Sequence, residues 1–397
     1  MEGAHCSPHD FIFYVERYYF IMLSVERVLT RSQRKQFIQF QNNLYRDCEN
    51  YVPTMLSDEL ANLDEKKNPA FEFCEARFFL VKRDGEIVGR VGGIINKAAN
   101  EKWKRKYMRI TRIDFIEDYE VFQLLIKTIE DWAREEGLEH MIGPIGFCDF
   151  DKEGMLIDGY DKMGLFITYY NYPYYKEFFE RAGFEKEVDW VENRVYVKCL
   201  QEEKIARICN RVVEKGGFRY KEFRSKREVK PYVKKLLGLV SKEYSDLFGF
   251  TPITPRQMEY YEGQFLQLLK LDYIAVIEDA QGEIAAFGLL APSLAACMRK
   301  TGGRLFPFGW IPVLKAIKNP KILDMYFVAI RKEYQKVGIP AVLLHYVTKK
   351  AEKNGVLYAE TGPELETNYG VQGMWSGYEV EKNYKRRRCF IREVSKQ

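Results

Sequence analysis

The sequence predicts an α/β fold with a mixed sheet, and three observations lead to this prediction. The chain has 397 residues, which is enough for two or three domains of ordinary size. Hydrophobic residues make up 46% of it and charged residues 30%, as in globular proteins with packed cores. Strand-like and helix-like patterns follow one another in the same mixed order twice, in residues 24–200 and 201–397. We therefore expect two tandem modules, preceded by an N-terminal extension at 1–23 that matches neither.

The elements of the first module follow from local signals. Asp84-Gly85 separates two β-rich runs, which is a strong turn signal and predicts a hairpin over 77–95. Apolar residues at helical spacing predict a helix over 121–136, which ends at Gly137. The other predicted elements are a strand at 24–29, a helix at 31–45, strands at 109–116 and 139–142, a helix at 174–182 and a strand at 190–197.

The second module repeats this order. Thr254-Pro255 fits an N-cap followed by the first helical position, and it predicts a helix that continues to Leu269. A segment at 292–321 interrupts the module between its hairpin and its next strand. The other predicted elements are a strand at 218–223, a helix at 228–244, a hairpin over 273–290, a strand at 322–330, a helix at 341–353, a strand at 356–360, and a last helix and strand within 366–393.

Composition excludes several classes of protein. Lys+Arg 62 against Asp+Glu 57 leaves a net charge of +5, which is small for the length and argues against a dedicated nucleic-acid binder. The chain has eight cysteines and four histidines without CxxC or other zinc-ligand spacing, so we expect no zinc site and no disulfide framework. No apolar run reaches about 18 residues, so no transmembrane helix is expected. These features predict a cytoplasmic protein with free thiols.

The segment 330–341 carries the most informative motif. It leaves a predicted strand and enters a predicted helix, with Gln335, Gly338 and Pro340 in the connection. A diphosphate needs several main-chain N–H groups aimed at one point, and the N-terminus of a helix supplies them with a favourable dipole. Gly338 permits close approach of the backbone, whereas Pro340 donates no N–H. On these residues the chain resembles the acyl-CoA N-acyltransferase (GNAT) superfamily, whose signature here is Q/R-x-x-G-x-G/A.

The resemblance implies that the second module binds acyl-CoA, as a co-substrate, through a phosphate-binding loop. The first module has the acidic sequence 117–120 at the corresponding start of a helix, and its carboxylates would repel a diphosphate. We therefore predict a degenerate GNAT-like module at 24–200 and a CoA-binding GNAT module at 201–397. The residues predicted to bind acyl-CoA are Ile330, Arg331, Lys332, Gln335, Lys336, Val337, Gly338, Ile339, Ala341 and Asn368.

A closer resemblance rests on longer segments. These segments include Gly143-Pro144, 304–309, 360–368 and 385–388. They look like those of a bacterial group of tandem GNAT-like proteins, some of whose relatives are similar to the bacterial ceramide synthases, which acylate a sphingoid base from an acyl-CoA. The resemblance implies transfer of an acyl group to an amine acceptor, either a small molecule or a lipid amine such as a sphingoid base.

The implied reaction is direct attack of an amine on a thioester, which needs a group that accepts a proton. Glu360 ends the strand after the phosphate-loop helix and is the first catalytic candidate, although it could instead be a salt-bridged structural residue. Asp324 is the second, and Tyr369 is a third candidate near the last helix. The superfamily's tyrosine acid is not carried over, because Phe179 and Trp375 occupy the corresponding places.

Two basic segments remain open to more than one interpretation. Residues 298–321 combine aromatic and aliphatic side chains with lysines and arginines. They predict a contact with a membrane surface, a lid over an apolar acceptor pocket, or an insertion packed on its own domain. The run 382–388 predicts either a contact with phosphates or a solvated edge strand guarded by charge.

Two other functions stay open at this point. One is an aminoacyl-tRNA-dependent ligase of the tandem-GNAT kind, and the other is a non-catalytic protein that binds acyl-CoA or lipid. The expected location is the cytoplasm, with peripheral contact at the inner membrane face through 298–321. The expected partners are an amine acceptor and no nucleic acid.

Overall fold

The computed structural model describes residues 22–396, so nearly all of the predicted N-terminal extension lies outside the described residues. Within this range the chain forms a single mixed sheet of fourteen strands. The strands are β1 (Leu23–Arg27), β2 (Cys74–Arg83), β3 (Glu86–Asn96), β4 (Tyr107–Phe115), β5 (His140–Gly143), β6 (Met155–Asp158), β7 (Glu185–Cys199), β8 (Arg219–Tyr220), β9 (Ile274–Glu278), β10 (Ile284–Pro292), β11 (Ile322–Ile330), β12 (Tyr358–Thr361), β13 (Glu364–Leu365) and β14 (Tyr378–Glu393).

Twelve α-helices cover this sheet within the described range. They are α1 (Arg31–Leu44), α2 (Leu56–Asn62), α3 (Lys97–Trp103), α4 (Tyr119–Glu135), α5 (Tyr174–Arg181), α6 (Glu202–Gly216), α7 (Lys226–Glu243), α8 (Pro255–Leu268), α9 (Ala295–Thr301), α10 (Trp310–Lys318), α11 (Ile339–Lys353) and α12 (Tyr369–Met374). The predicted mixed α/β class is confirmed. Helix α6 was not predicted, and it connects the two halves of the chain.

The order of the strands shows that the two halves exchange their last strands. The sheet runs β1-β2-β3-β4-β5-β14-β7-β12-β11-β10-β9-β8. Strand β14, from the end of the chain, therefore lies between β5 and β7, which both belong to the first half. Strand β7 in turn pairs with β12 of the second half. The halves divide the sequence near residue 200, but they share the centre of one continuous sheet.

The cations at 385–388 of the basic run lie in this shared centre, and for them both interpretations from the sequence are wrong. Lys385 and Arg387 in β14 have side chains that are 0% exposed. Both contact the carboxylate of Glu192 in β7, which is also fully buried. Arg386 and Arg388 bind Asp189. The four consecutive charges of this run are therefore neutralised by carboxylates across the strand pair, so they are neither at a solvated edge nor presented to phosphates.

Alternate residues of the strands build separate cores on the two faces of the sheet, as a pleated strand requires. In β9, Ala275 and Ile277 pack against α6 and α11, whereas Ile274 and Val276 pack against α7 and α8. The linking helix α6 thus covers the same face as α11. No helix among residues 22–396 is long and apolar enough to cross a bilayer, and the same residues contain no cluster suited to hold a metal ion.

Candidate active site

Strands β11 and β12 separate in the middle of the sheet. Their parallel pairing extends from Ile322 to Met325, which lies opposite Thr361 at the end of β12. Strand β11 continues to Ile330 and there pairs with β10 alone, after a register shift between Leu289 and Leu290. The strands therefore open a gap whose one side is the free edge of β11.

A cavity of about 650 Å³ occupies this gap. Its wall includes the second half of β11, and both halves of the chain contribute to it. Phe150 packs 5.1 Å from Phe327 between ring centres. The first half of the chain thus closes one side of a cavity that lies between strands of the second half. The volume of the cavity is in the size range of small-molecule sites. The lining residues include Leu305, Met325, Phe327, Val328, Leu343, Glu364, Asn368 and Trp375 from the second half, and Asp149, Phe150 and Glu153 from the first.

A tyrosine hydroxyl forms the hydrogen bonds that a neighbouring strand would otherwise form with the free edge of β11 at Val328. The hydroxyl of Tyr244, just after α7, donates to the carbonyl oxygen of Val328 at 3.0 Å. The same hydroxyl accepts from the N–H of Val328 at 3.4 Å. Burial raises the pKa of Tyr244 to about 12, so the phenol stays protonated and can donate. An amide that pairs with Val328 must displace this hydroxyl.

The predicted phosphate-binding loop follows β11 directly. Nε2 of Gln335 donates to the carbonyl oxygen of Ile330 at 3.2 Å, so this side chain holds the bend closed on its own strand. The N–H groups of Lys336, Gly338 and Ile339 have no acceptor among the described residues. These donors lie at the N-terminus of α11, where the helix dipole favours an anion.

The backbone conformation and close packing at position 338 require a glycine, whether or not the loop binds a phosphate. The φ of Gly338 is +96°, in the left-handed region, and a Cβ there would lie 2.9 Å from Ile208 and 3.0 Å from Val212 of α6. The side of this glycine that lacks a Cβ therefore faces α6. The predicted role of Gly338, close approach of the backbone to a diphosphate, is not needed to explain why a glycine is there.

The cations of the loop are partly engaged. Arg331 lies 3.4 Å from Asp279, and Lys332 lies 3.0 Å from Asp246. Of the ten residues predicted to bind acyl-CoA, Asn368 lines the cavity. The other nine belong to the end of β11, the loop and the first turn of α11, beyond the cavity wall. Among them, Lys336 and Val337 are exposed, whereas Ile339 is buried and Ala341 is half-buried.

The structure does not place the three predicted catalytic residues on the cavity wall. Glu360 is buried and bound by Arg194 at 2.8 Å and by Lys385 at 3.0 Å, which matches the structural alternative. Asp324 is buried without a hydrogen-bond partner for its Oδ1, and burial raises its pKa to about 7. Tyr369 is 76% exposed. The three residues are close in sequence to the strands that form the gap, but they do not line the cavity.

Glu364 is the carboxylate that sequence reasoning missed. It lies in β13, just after the turn at Gly362-Pro363 where β12 ends, and it lines the cavity. Burial raises the pKa of Glu364 to about 7, and Nδ2 of Asn193 donates to its Oε2 at 3.2 Å. A carboxyl group with this pKa can exchange a proton near neutral pH. The signal was present in the sequence, because Glu364 is four residues after Glu360 in the same motif.

A second acidic group lines the first-half wall of the cavity. Burial raises the pKa of Asp149 to about 6. Burial and then Asp149 raise the pKa of Glu153. The guanidinium of Arg109 donates to main-chain carbonyls, with Nη1 bonded to that of Gly146 at 3.0 Å, and its charge opposes the rise in the pKa of both acids. Burial thus favours the uncharged form of Glu153, and Asp149 is the acid of this wall that can attract a cationic ligand.

The corresponding place in the first half is filled. Asp118 accepts from the N–H groups of Glu120 and Val121 at the start of α4, so its carboxylate occupies the donors that a phosphate would need. Nearby, the hydroxyl of Tyr45 lies 2.8 Å from Asp114 and 2.7 Å from the hydroxyl of Tyr175. A cavity of about 10 Å³ remains there, which is too small for a thioester.

Comparison with known proteins supports the fold. No family model matches the chain. A tandem GNAT protein from the clavulanic acid biosynthesis pathway superposes with a TM-score of 0.55 and 11% identity over 95% of this chain and all of that one. A GCN5-related glucosamine N-acetyltransferase region of a fungal multi-domain β-N-acetylglucosaminidase gives a TM-score of 0.53 and 12% identity, over 94% of this chain and 38% of that chain.

Two curated proteins are similar in sequence. Protein YghO of Escherichia coli strain K12 is 25% identical over 387 residues, which are 93% of this chain and 95% of that protein. A bacterial ceramide synthase of Caulobacter vibrioides is 25% identical over 319 residues, or 79% and 82% of the two chains. The predicted tandem architecture is thus confirmed: the chain has the tandem GNAT fold and is a distant sequence relative of a bacterial ceramide synthase.

Proposed function

We propose that this protein is an N-acyltransferase that transfers an acyl group from acyl-CoA to an amine. The observation that carries the proposal is the gap between β11 and β12. It joins an apolar cavity to a strand edge that ends in unpaired N–H donors at the start of a helix. These three parts match, in order, an acyl chain, a pantetheine arm and a diphosphate.

Acyl-CoA binds along β11 in this proposal. The N–H groups of Lys336, Gly338 and Ile339 hold the diphosphate, helped by the exposed ammonium of Lys336. Pro340 contributes no donor, so the set is smaller than a full helix N-terminus offers. The amides of the pantetheine arm pair with the edge of β11 after the hydroxyl of Tyr244 leaves Val328.

Glu364 is the proton acceptor that we propose for the transfer. The amine nitrogen attacks the thioester carbon, the new C–N bond forms, and the C–S bond breaks to release the thiolate of CoA. The ammonium proton passes to the carboxylate of Glu364, and the thiolate takes up a proton from solvent. The pKa of about 7 at Glu364 suits this role at neutral pH. Glu360 instead holds strands together through Arg194 and Lys385.

The proposed acceptor is a lipid amine such as a sphingoid base. In this proposal the apolar wall of the cavity holds hydrocarbon of the acceptor beside the acyl chain, and Asp149 attracts the ammonium group of the acceptor. The similarity to a bacterial ceramide synthase supports the same acceptor class. We further propose that the protein acts in the cytoplasm.

The test is release of free CoA thiol by purified protein. The assay offers acyl-CoAs of several chain lengths with sphinganine, glucosamine and a polyamine as acceptors. We expect turnover with a long-chain amine, and we expect Glu364→Gln to lower kcat/KM by about 100-fold or more with an unchanged Kd for CoA. The matched control is Glu366→Gln, two residues away and bound to Arg386 outside the cavity wall, which should retain activity. Activity of Glu364→Gln equal to wild type would refute the assignment of the base.

A non-catalytic protein that binds acyl-CoA is the second candidate, because Tyr244 already occupies the strand edge at Val328. Isothermal titration with CoA distinguishes the two. Binding without turnover over the whole acceptor panel favours the second candidate, and no binding at all excludes both. Lys336→Glu should weaken CoA binding, and Lys353→Glu at the exposed far end of α11 serves as its control.

A further inference from the structure

The insertion between β10 and β11 has an anchored base. Leu294 and Met298, at the start and in the middle of its first helix α9, pack against Val52 of the first half. Nη1 of Arg299 donates to the carbonyl oxygen of Cys48 at 2.7 Å. The chain is closely packed just after this helix as well, where a Cβ at position 303 would lie 2.7 Å from a main-chain carbonyl oxygen of the first half. The base therefore fixes the position of the segment that follows.

The segment that follows, residues 304–318, exposes several of its large apolar side chains, and we call it the tip. Val313 and Ile317 on one side of α10 pack against the base. Five large hydrophobic side chains within nine residues, two just before α10 and three in it, are between 47% and 87% exposed. They are Phe306, Phe308, Trp310, Ile311 and Leu314. Single exposed hydrophobic residues are ordinary, but a contiguous group marks an interaction surface.

The charged residues of the insertion itself all have one sign. Residues 292–321 contain Arg299, Lys300, Arg304, Lys315, Lys318 and Lys321, and they contain no aspartate or glutamate. None of these six cations forms an ion pair with a carboxylate of the described residues. Lys300, Arg304, Lys315 and Lys318 are exposed. An apolar, aromatic surface surrounded by such cations complements a surface with an apolar interior and anionic groups.

We propose that the tip docks the protein on the surface of a bilayer that contains anionic lipids. Phe306, Phe308 and Trp310 enter the boundary between headgroups and acyl chains, and the lysines of α10 contact phosphate groups. A second copy of this chain is the less favourable occupant, because a symmetric contact would bring two sets of like charges together.

The tip also connects this surface to the cavity. Leu305 lines the cavity, and its neighbour Phe306 is the most exposed large hydrophobic side chain of the tip. Docking there places the wall of the cavity next to the lipid. This consequence rests on the proposed function: an acceptor with a long chain would reach the cavity from the bilayer rather than from water. Binding to the membrane itself does not depend on the chemistry of transfer.

Flotation of the full-length chain with lipid vesicles tests the proposal. We expect co-flotation with vesicles that contain phosphatidylglycerol and little with phosphatidylcholine alone. The double variant F306S/F308S should lower the partition coefficient by about tenfold or more. The double variant K315Q/K318Q should weaken binding to the anionic vesicles and reduce its dependence on salt. Matched controls are L200S/L357S, which changes two exposed leucines elsewhere, and K35Q/K353Q, which changes two exposed lysines elsewhere.

Three outcomes would overturn the proposal. They are no binding to either kind of vesicle, equal binding by F306S/F308S and wild type, or self-association of the wild type that F306S/F308S abolishes. The last result would assign the tip to a second copy. Titration of CoA into the same variants separates this proposal from the proposed function. The tip variants should keep the wild-type Kd for CoA even where they no longer bind the vesicles.

Discussion

The ammonium group of Lys385 lies 3.0 Å from a carboxylate oxygen of Glu360. This contact joins the last strand of the chain to the strand that ends at the cavity. Lys385 also lies 3.0 Å from Glu192 of β7, so one buried cation links the three strands at which the two halves meet. Well-packed apolar residues are often as stable as a buried ion pair, but removal of one charged partner is costly. The contact therefore makes the exchanged arrangement sensitive to each of its members.

Lys385→Met should destabilise the protein strongly. The methionine fills much of the same space but leaves Glu360 with Arg194 alone and Glu192 with Arg387 alone. We expect the free energy of unfolding to fall by about 3–5 kcal/mol, measured by urea denaturation. Lys382→Met, three residues earlier and exposed, should change it by less than about 0.5 kcal/mol. Equal effects of the two variants would show that the buried network does not stabilise the strand exchange.

The elements and their order could be predicted from the sequence because their signals are local. The turn at Asp84-Gly85 and the stop at Gly137 are examples. The exchange of β7 and β14 could not be predicted, since the pairing partner of a strand depends on residues far away in sequence. The basic run at 382–388 was misinterpreted for this reason: its charges suggest exposure, whereas Glu192 and Asp189 on the distant β7 neutralise them.

The same difference between local and distant contacts separates the parts of the candidate site that a sequence motif indicates from those that it does not. The connection after β11 has a local motif and could be found. The motif at 360–368 contains several acids, and position at the end of a strand favoured Glu360. The two glutamates differ only in the folded structure. Glu360 is paired with Arg194 and Lys385, whereas the turn at Gly362-Pro363 brings Glu364 to the cavity wall. The acids on the opposite wall come from the other half of the chain, so no spacing along the sequence connects them to the cavity.

Gly338→Ala should reduce stability whether or not the loop binds CoA. Its φ of +96° and the approach of Ile208 to 2.9 Å of a Cβ require strain or movement of α6. We expect a loss of about 2 kcal/mol in the free energy of unfolding, measured without ligand. Gly263→Ala in α8, where a Cβ meets nothing within 4 Å, should be neutral or slightly stabilising. A fully stable Gly338→Ala would contradict the contact with α6.

Asp324 should make stability depend on pH. Its folded pKa of about 7 is above the value of about 4 in an unfolded chain. The folded state therefore binds the extra proton between these values, and the stability that this proton contributes is lost as pH rises from about 4 to 7. Between pH 5 and pH 8, the free energy of unfolding of the wild type should fall by about 2–3 kcal/mol more than that of Asp324→Asn.

Urea denaturation of both proteins at pH 5 and pH 8 measures this difference, and other titrating groups cancel in the comparison. The asparagine is uncharged at either pH and nearly the same size, so it mimics the protonated side chain. Parallel loss of stability in the two proteins would show that Asp324 titrates near its ordinary value.

Tyr244→Phe should strengthen the binding of acyl-CoA. The hydroxyl of Tyr244 occupies both hydrogen-bonding groups of Val328, and a pantetheine amide has to displace it. Removal of this hydroxyl deletes one competing hydrogen bond of 3.0 Å, worth about 1 kcal/mol, and a longer one of 3.4 Å, so the Kd should fall by about fivefold or more, measured by isothermal titration. Tyr326→Phe removes a hydroxyl from another tyrosine that lines the same cavity but leaves the bonds between Tyr244 and Val328, so its Kd should match that of the wild type. A higher Kd for Tyr244→Phe than for the wild type would mean that the hydroxyl contacts the ligand instead of competing with it.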